Sequence, residues 1–357
     1  MTGIAGASEG SSVDPPVTLP RAAPSGTLSP DSPFYIERAA EKRAVELIHD
    51  MGVTLTIIKP GQSGGSSLVS RLLEIARQAG KRAAYLNFQR LFSNQDFADA
   101  ERFYYRFCVA LTNLLKVGDR VEAHWKDHCN LGIGDRCSYY LQYVLQQLNG
   151  QPLLLAMDEI DRLANAPFKS DFFAMVRSWH NDRAMEPDYE RLDIVLITSL
   201  EQHQLIEIDE HYQSPFNVGE VERFEDFSEG EVSELVSRYG LRLGAEEIKK
   251  LISLLGGHPY LHQLALHHLA KSGASVDMLI QQARYTNSPF NSHLEYIYTT
   301  VNGTPTLLQG VKDLLHPRPL DETLILQLRR AGLVQRQGNK VQFRCRLYEE
   351  YFREQFR

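Results

Sequence analysis

The chain has 357 residues, 43% of them hydrophobic, which is enough for two or three domains with packed cores. Its 38 basic residues against 45 acidic ones leave a net charge of −7, which excludes a global electrostatic attraction to nucleic acid or to an anionic membrane. No apolar run reaches the roughly 18 residues of a membrane span, the N-terminus lacks a basic-then-apolar signal pattern, and four cysteines in so long a chain make no disulfide framework; a reduced, cytoplasmic protein without a membrane partner is expected.

Residues 1–32 are rich in Gly, Ser and Pro and hold no aromatic side chain, which describes a disordered tail or tether. Order is expected from Pro33-Phe34-Tyr35-Ile36-Glu37-Arg38, followed by a helix over Ala39–His49. Thr54–Ile58 is strand-like and runs into the turn Lys59-Pro60-Gly61-Gln62-Ser63-Gly64-Gly65. Ser66 and Ser67 then open an apolar-periodic helix through Leu68, Leu72, Leu73, Ile75 and Ala76. A strand, a glycine loop and a helix in that order describe a phosphate-binding loop, where backbone N–H groups and the positive helix end converge on an anion.

The loop departs from its pattern of Gly, four residues, then Gly-Lys-Ser/Thr. Aligned on Gly64 and Ser66, the first Gly is Lys59 and the lysine position is Gly65. Gly61, Gly64, Gly65, Ser66 and Ser67 can still offer donors, but the mobile cation that tracks the β- and γ-phosphates is missing from its place. A Gly/Ser-rich turn that merely enters a helix has the same local look.

Farther along, Ala83–Phe88 reads as a second strand, Phe97–Leu115 as a long amphipathic helix, 116–137 as a less regular segment and Tyr139–Leu148 as a helix. Pro152–Ala156 and Met157 lead into Asp158-Glu159, an apolar run ending in two carboxylates, as in a fully buried parallel strand. A helix is expected over Phe172–His180, then a buried strand, Leu192–Ser199, ending in the hydroxyls of Thr198 and Ser199. The alternation implies an α/β fold, a parallel sheet flanked by helices, with ligands at the C-terminal strand ends. There Asp158 would hold Mg²⁺ together with Ser66, and Glu159 would polarise a water; the bland alternative is that both acids cap the next helix. Arg177 and Arg183 are candidate transition-state cations, in cis or toward a neighbour, or plain surface arginines.

From Phe224 the texture turns helical, with a Ser228/Glu231 capping box, a helix over Ala245–Leu255, a stop at Gly256-Gly257-His258-Pro259 and a helix over Tyr260–Lys271. The last ~85 residues resemble a small winged-helix unit, with a hairpin at Val334–Gln335–Arg336 and Lys340–Phe343. Residues 318–346 hold seven Lys/Arg against Asp321 and Glu322, so a DNA contact through this unit is one option and a regulatory lid the other. His124, His128, Cys129 and Cys137 lack the paired arms of a common structural zinc site, so helix-face and core roles are expected of them.

Over residues 33–357 the sequence resembles the bacterial AAA-like, STAND-type P-loop ATPases. The resemblance is carried by Phe34–Arg38, the loop, Met157–Asp161, Phe172-Phe173, Arg177–His180, Ser214–Gly219, Gly256–Leu261 and Arg344–Tyr348. It implies a P-loop core (33–223), a helical lid (224–273) and a winged helix (274–357), with ATP or ADP and Mg²⁺ bound. In that family the lid's Gly-x-Pro contacts the nucleotide, which here points to His258 and Pro259. The resemblance further implies a switch in signalling, defence or regulation that works through a protein partner or effector polypeptide, with homo-oligomers possible.

Three readings of Gly65 stay open: a degenerate ATPase that binds nucleotide and hydrolyses it weakly or not at all, substitution by Lys59 from the start of the loop, or an engineered change. A nucleotide-independent adaptor on a pseudo-ATPase fold, touching DNA through the winged helix, is the alternative function.

Overall fold

A computed structural model describes residues 28–357 apart from 30, 62, 64, 206–217, 317 and 339. Residues 1–27 and 30 of the tail expected over 1–32, Gly64, the stretch 214–217 and Asn339 therefore lie outside the described residues. Five strands, β1 (Thr54–Ile58), β2 (Arg82–Asn87), β3 (Leu153–Asp158), β4 (Leu192–Thr198) and β5 (Glu220–Arg223), form one sheet in the order β2-β3-β4-β1-β5. All four pairings are parallel. A parallel sheet needs both faces covered, and β1, β3 and β4 are buried at every position.

The period-2 alternation of side chains divides these strands between two cores. Leu153, Leu155 and Met157 face a core with the helices Ala100–Leu115, Ile133–Gln147 and Lys169–Asn181. Leu154 and Ala156, with Leu55, Ile57, Val195 and Ile197, face a second core built on α1 (Ala39–His49) and α2 (Gly65–Gln78). A buried pair fastens the N-terminal strand edge: Lys81 Nζ lies 2.6 Å from Asp193 Oδ2, and Asp193 Oδ1 accepts the Val53 N–H at 2.8 Å.

Several element boundaries differ from the sequence expectation for local reasons. The long helix expected over 97–115 is two, Asn94–Ala98 and Ala100–Leu115, because Asp99 leaves the helical conformation and caps the second through the Arg102 N–H. The helix expected from Tyr139 begins at Ile133, and the irregular segment before it contains the helix Val121–Asp127. The edge strand β5 pairs with β1 although it carries Glu220, Glu222 and Arg223, as an edge strand facing solvent can.

Helices Glu229–Arg238, Ala245–Leu255 and Pro259–Ser272 follow β5. Beyond them stand Asn291–Asn302, Pro305–Leu315 and Glu322–Arg330, an antiparallel hairpin of β6 (Val334–Gln337) and β7 (Lys340–Phe343), and the terminal helix Arg346–Gln355. Leu235, Leu251, Leu264, Ile297, Val311 and Phe352 belong to one hydrophobic core, which Phe34 and Ile36 also enter. Packing is therefore continuous across position 273, where the sequence suggested a boundary.

Candidate functional site

The C-terminal ends of β1, β3 and β4 stand side by side, with Ile58 paired to Thr198 and Asp158 to Ile197. The chain leaving β1 is held to its neighbour by the Lys59 N–H on the Thr198 carbonyl, at 2.9 Å. It then turns through the loop into α2, whose first-turn N–H groups have no acceptor within the helix. Gly65 and Ser66 are thus on the first turn, with Ser66 exposed and Ser67 buried; the Ser67 hydroxyl accepts the Leu28 N–H at 2.8 Å.

Asp158 ends β3 in full burial. Its Oδ2 accepts the Tyr85 hydroxyl at 2.7 Å and its Oδ1 accepts the Glu159 N–H at 2.9 Å. Tyr85, on the neighbouring strand, carries chemistry that the sequence alone did not single out; its phenol is pushed up by burial and then by the charge on Asp158. Glu159 sits in the left-handed region at φ 59°, a conformation that costs a non-glycine residue on the order of 1 kcal/mol or more. Burial raises its pKa, against the opposing pull of Lys59.

Lys59 is a cation that lies within ion-pair distance of both strand-end acids. Its buried ammonium lies 3.8 Å from Glu159 Oε1 and 4.0 Å from Asp158 Oδ1. A cleft of about 340 Å³ opens there, lined by Lys59, Gly61, Glu159, Ser199 and, from the C-terminal region, Tyr296 and Arg330. Arg330 Nε is 3.0 Å from Asp161 Oδ2, which the Ser199 hydroxyl also approaches at 3.3 Å. Arg344 is fully buried, pairs with Asp226 and donates to the Gly61 carbonyl. Gly61 has no room for a side chain, since a Cβ there would stand 2.6 Å from the Arg330 carbonyl oxygen.

Other expected site residues are placed differently. The Thr198 hydroxyl closes a turn on Leu200 at 3.0 Å, so the strand-end hydroxyl lining the cleft is Ser199. Pro259 lines a small cavity of about 60 Å³ with Tyr35, Ile36, Ser63 and Ser67, but His258 does not. His258 is wholly buried, edge-on to the rings of His293 and Tyr348, and burial pushes its pKa well down. Arg177 stands one turn before His180, whose ring nitrogen meets the Thr54 hydroxyl at 3.0 Å, at the strand end away from the loop. Arg183 is at that same end, on the carbonyls of Val53 and Leu192, so neither arginine reaches the cleft within its own chain.

Of the His/Cys candidates, His124, His128 and Cys137 are occupied by other contacts, although the rings of His124 and His128 stack 4.1 Å apart. His124 meets the Arg136 carbonyl and His128 meets that of His124, while Cys137 is buried beside Cys108; no metal-holding group is found among the described residues. In the basic C-terminal stretch, Arg330, Arg336, Arg344 and Arg346 are paired with Asp161, Glu322, Asp226 and Glu350. Two of the seven cations counted there, Arg330 and Arg344, are turned inward onto Asp161 and the Gly61 carbonyl.

The model of the AAA-like domain family matches residues 23–354. An uncharacterized WD repeat-containing protein of Synechocystis is 25% identical over 259 residues, covering 71% of this chain and 21% of that protein, so this chain spans about a fifth of the relative's length. Among solved structures, the Walker-type ATPase PabY2304 of Pyrococcus abyssi matches with a TM-score of 0.60 at 14% identity, covering 89% of this chain and 96% of that one. The ORC2 protein of Aeropyrum pernix, solved as ADPNP–ADP complexes, gives 0.50 at 14% identity, covering 90% and 95%. At such identities these two likenesses concern the fold, which is the P-loop NTPase fold that the strand order, the loop–helix junction and the strand-end acids describe. Matched by that family's model over nearly its whole length, this chain belongs to the AAA-like domain family.

Proposed function

We propose that this chain is a nucleotide-responsive switch module that binds ATP or ADP with Mg²⁺, hydrolyses weakly or not at all, and passes its state to a protein partner in signalling, defence or regulation. The observation that carries the reading is the meeting of Lys59, Glu159, Ser199 and Arg330 around one cleft. Two of these come from the P-loop and the strand-end acids, and Arg330 from the region that would have to move. The nucleotide complexes of the Aeropyrum ORC2 protein support the same ligand class on this fold.

The residues fit such a ligand on the phosphate side. The first turn of α2 offers N–H donors, Ser66 and Asp158 would hold Mg²⁺, and Glu159 would orient a water. Bound nucleotide would supply the phosphoanhydride whose state the switch reports. The base side is closed: the cavity at Tyr35 and Pro259 is about 60 Å³. That is well below the roughly 300 Å³ of a typical small-molecule pocket. Admission of a base therefore requires the lid to shift from Phe34 and Tyr35, whose carbonyls accept from Gln263 and Arg238, which would couple binding to motion of the C-terminal region.

The output unit is proposed to be another domain or partner. The Synechocystis relative, named for WD repeats and about five times as long as the shared stretch, supports a WD-repeat unit on the same or a partner polypeptide. Self-association and a cytoplasmic location belong to the same proposal; a DNA contact belongs to the adaptor alternative, and the pairing of Arg330, Arg336, Arg344 and Arg346 within the chain leaves less charge for it.

A second reading, a nucleotide-independent adaptor, is favoured by the contacts already made on the loop, Arg344 on Gly61 and Leu28 on Ser67. Calorimetric titration of Mg·ATP and Mg·ADP into the protein and its Gly65→Lys variant separates the two. Saturable binding to the parent supports the switch. Absence of binding to the parent at millimolar nucleotide removes the switch, and binding restored only in the variant supports the adaptor on an ATPase fold.

A further inference from the structure

The two departures from the P-loop pattern, a lysine at 59 and a glycine at 65, meet in space. A Cβ added to Gly65 would stand 2.2 Å from both Cδ and Cε of Lys59 and 2.6 Å from its Nζ. No real Cβ tolerates such distances, so the Lys59 side chain lies in the volume where a side chain from position 65 would begin. Its path is buried, and it delivers the ammonium to the mouth of the loop, beside the strand-end acids.

The ammonium is held loosely there. Its distances of 3.8 and 4.0 Å to Glu159 and Asp158 exceed hydrogen-bond length, so the attraction is electrostatic and the ammonium's three donors are not locked onto either acid. A lysine has a flexible stem and a compact charge, which suits an oxygen ligand that arrives and leaves. An anion of higher charge seated at the helix N-terminus would compete with the two carboxylates for it.

We propose that Lys59 is the phosphate-binding cation of this site, acting from the start of the loop, and that Gly65 is bare so that the Lys59 stem can cross. The charge is relocated from the helix to the strand exit, and the ligand class is a nucleoside di- or triphosphate. This inference rests on the nucleotide reading above.

The test is calorimetric binding of Mg·ATP and Mg·ADP to the full chain and to Lys59→Met, Gly65→Ala and the double variant Lys59→Met/Gly65→Lys. Lys59→Met is expected to weaken binding about tenfold to a hundredfold, the range of one hydrogen bond to a charged group. Gly65→Ala keeps every charge but pushes the Lys59 stem aside, and is expected to weaken binding by a similar factor. The double variant is expected to recover affinity to within a few-fold of the parent. Gly65→Ala also serves if Lys59→Met, which leaves two acids without a counter-ion, fails to fold. A parent that binds nucleotide while Lys59→Met or Gly65→Ala binds equally well overturns the assignment and leaves the switch reading standing. A parent that binds no nucleotide overturns that reading, and this inference with it.

Discussion

Arg330 Nε lies 3.0 Å from Asp161 Oδ2, an ion pair that joins the last turn of the helix Glu322–Arg330 to the turn that follows the strand-end acids. A second link runs beside it, from the buried Arg344 to Asp226 and to the Gly61 carbonyl. The two differ in burial, and the difference decides their weight. The Arg330 side chain is 28% exposed and that of Arg344 1%. Arg344→Met, which leaves Asp226 uncompensated, is expected to destabilise the fold by about 3–5 kcal/mol. Arg330→Ala strands the buried Asp161 with only the Ser199 hydroxyl, but the arginine itself is partly solvated, so it is expected to cost about 1–3 kcal/mol. It should also raise amide hydrogen exchange across the hairpin 334–343. Denaturant midpoints for the two variants check the ranking, and equal destabilisation would refute it.

The interface between lid and terminal helix holds three histidines whose charged forms are disfavoured. Burial pushes His262 and His293 down to about 4 and His258 well below its ordinary value. Each is neutral in the folded chain, while the unfolded chain takes up protons near pH 6.5. Between those values the unfolded state binds more protons, so stability is complete above about pH 6.5 and is lost as pH falls toward 4. Denaturant unfolding measured every half unit from pH 8 to 4.5 should show this decline. His262→Asn should flatten part of the slope, and an unchanged slope in that variant would assign the acid sensitivity elsewhere.

How far the sequence could be read depends on how local each signal is. The apolar runs of β1, β3 and β4 identify buried parallel strands because burial on both faces removes the polar alternation. The helix Ala39–His49 and the hairpin 334–343 are local patterns, and both stand where periodicity and alternation put them. The break at Asp99 was missed because a capping aspartate inside an amphipathic run leaves the apolar period intact. The site was only half legible. Asp158 and Glu159 declare themselves at the end of an apolar strand, but Tyr85 is one tyrosine among 16 until the sheet places its hydroxyl on Asp158. Arg330 and Arg344 contribute to a basic count whose meaning is set by which way they point, and counting has no direction.

Lys81 and Asp193 are both buried and tie the start of β2 to β4, with their charged atoms 2.6 Å apart. Asp193 also accepts the Val53 N–H ahead of β1, and Lys81 donates to the Asp50 carbonyl. Removing one partner leaves a buried charge alone, so Asp193→Ala is expected to cost about 3–5 kcal/mol. Removing both charges in Lys81→Met/Asp193→Leu should cost less than the sum of the single changes. The Val53 N–H and the Asp50 carbonyl still lose their partners, so recovery should be partial. A double-mutant cycle by chemical denaturation measures the coupling, and strict additivity would mean that the pair contributes nothing of its own.

Thr198 and Ser199 stand next to each other at the end of β4, and their hydroxyls do different work. Thr198 Oγ1 accepts the Leu200 N–H at 3.0 Å and is buried within its own turn. Ser199 lines the cleft with Lys59 and Glu159 and reaches Asp161 at 3.3 Å, a long bond that a ligand oxygen could replace. Thr198→Val is expected to lower stability by about 1 kcal/mol, because the Leu200 N–H loses its acceptor. It should leave nucleotide affinity within about twofold, the scale of a contact not made to the ligand. Ser199→Ala reverses the pattern, with stability nearly unchanged and affinity for Mg·ATP reduced by about threefold to tenfold, the range of one neutral hydrogen bond. Calorimetry and denaturation on the same two samples read both quantities. If Thr198→Val weakens binding and Ser199→Ala does not, the hydroxyl that meets the ligand is Thr198, and the turn on Leu200 must open when nucleotide enters.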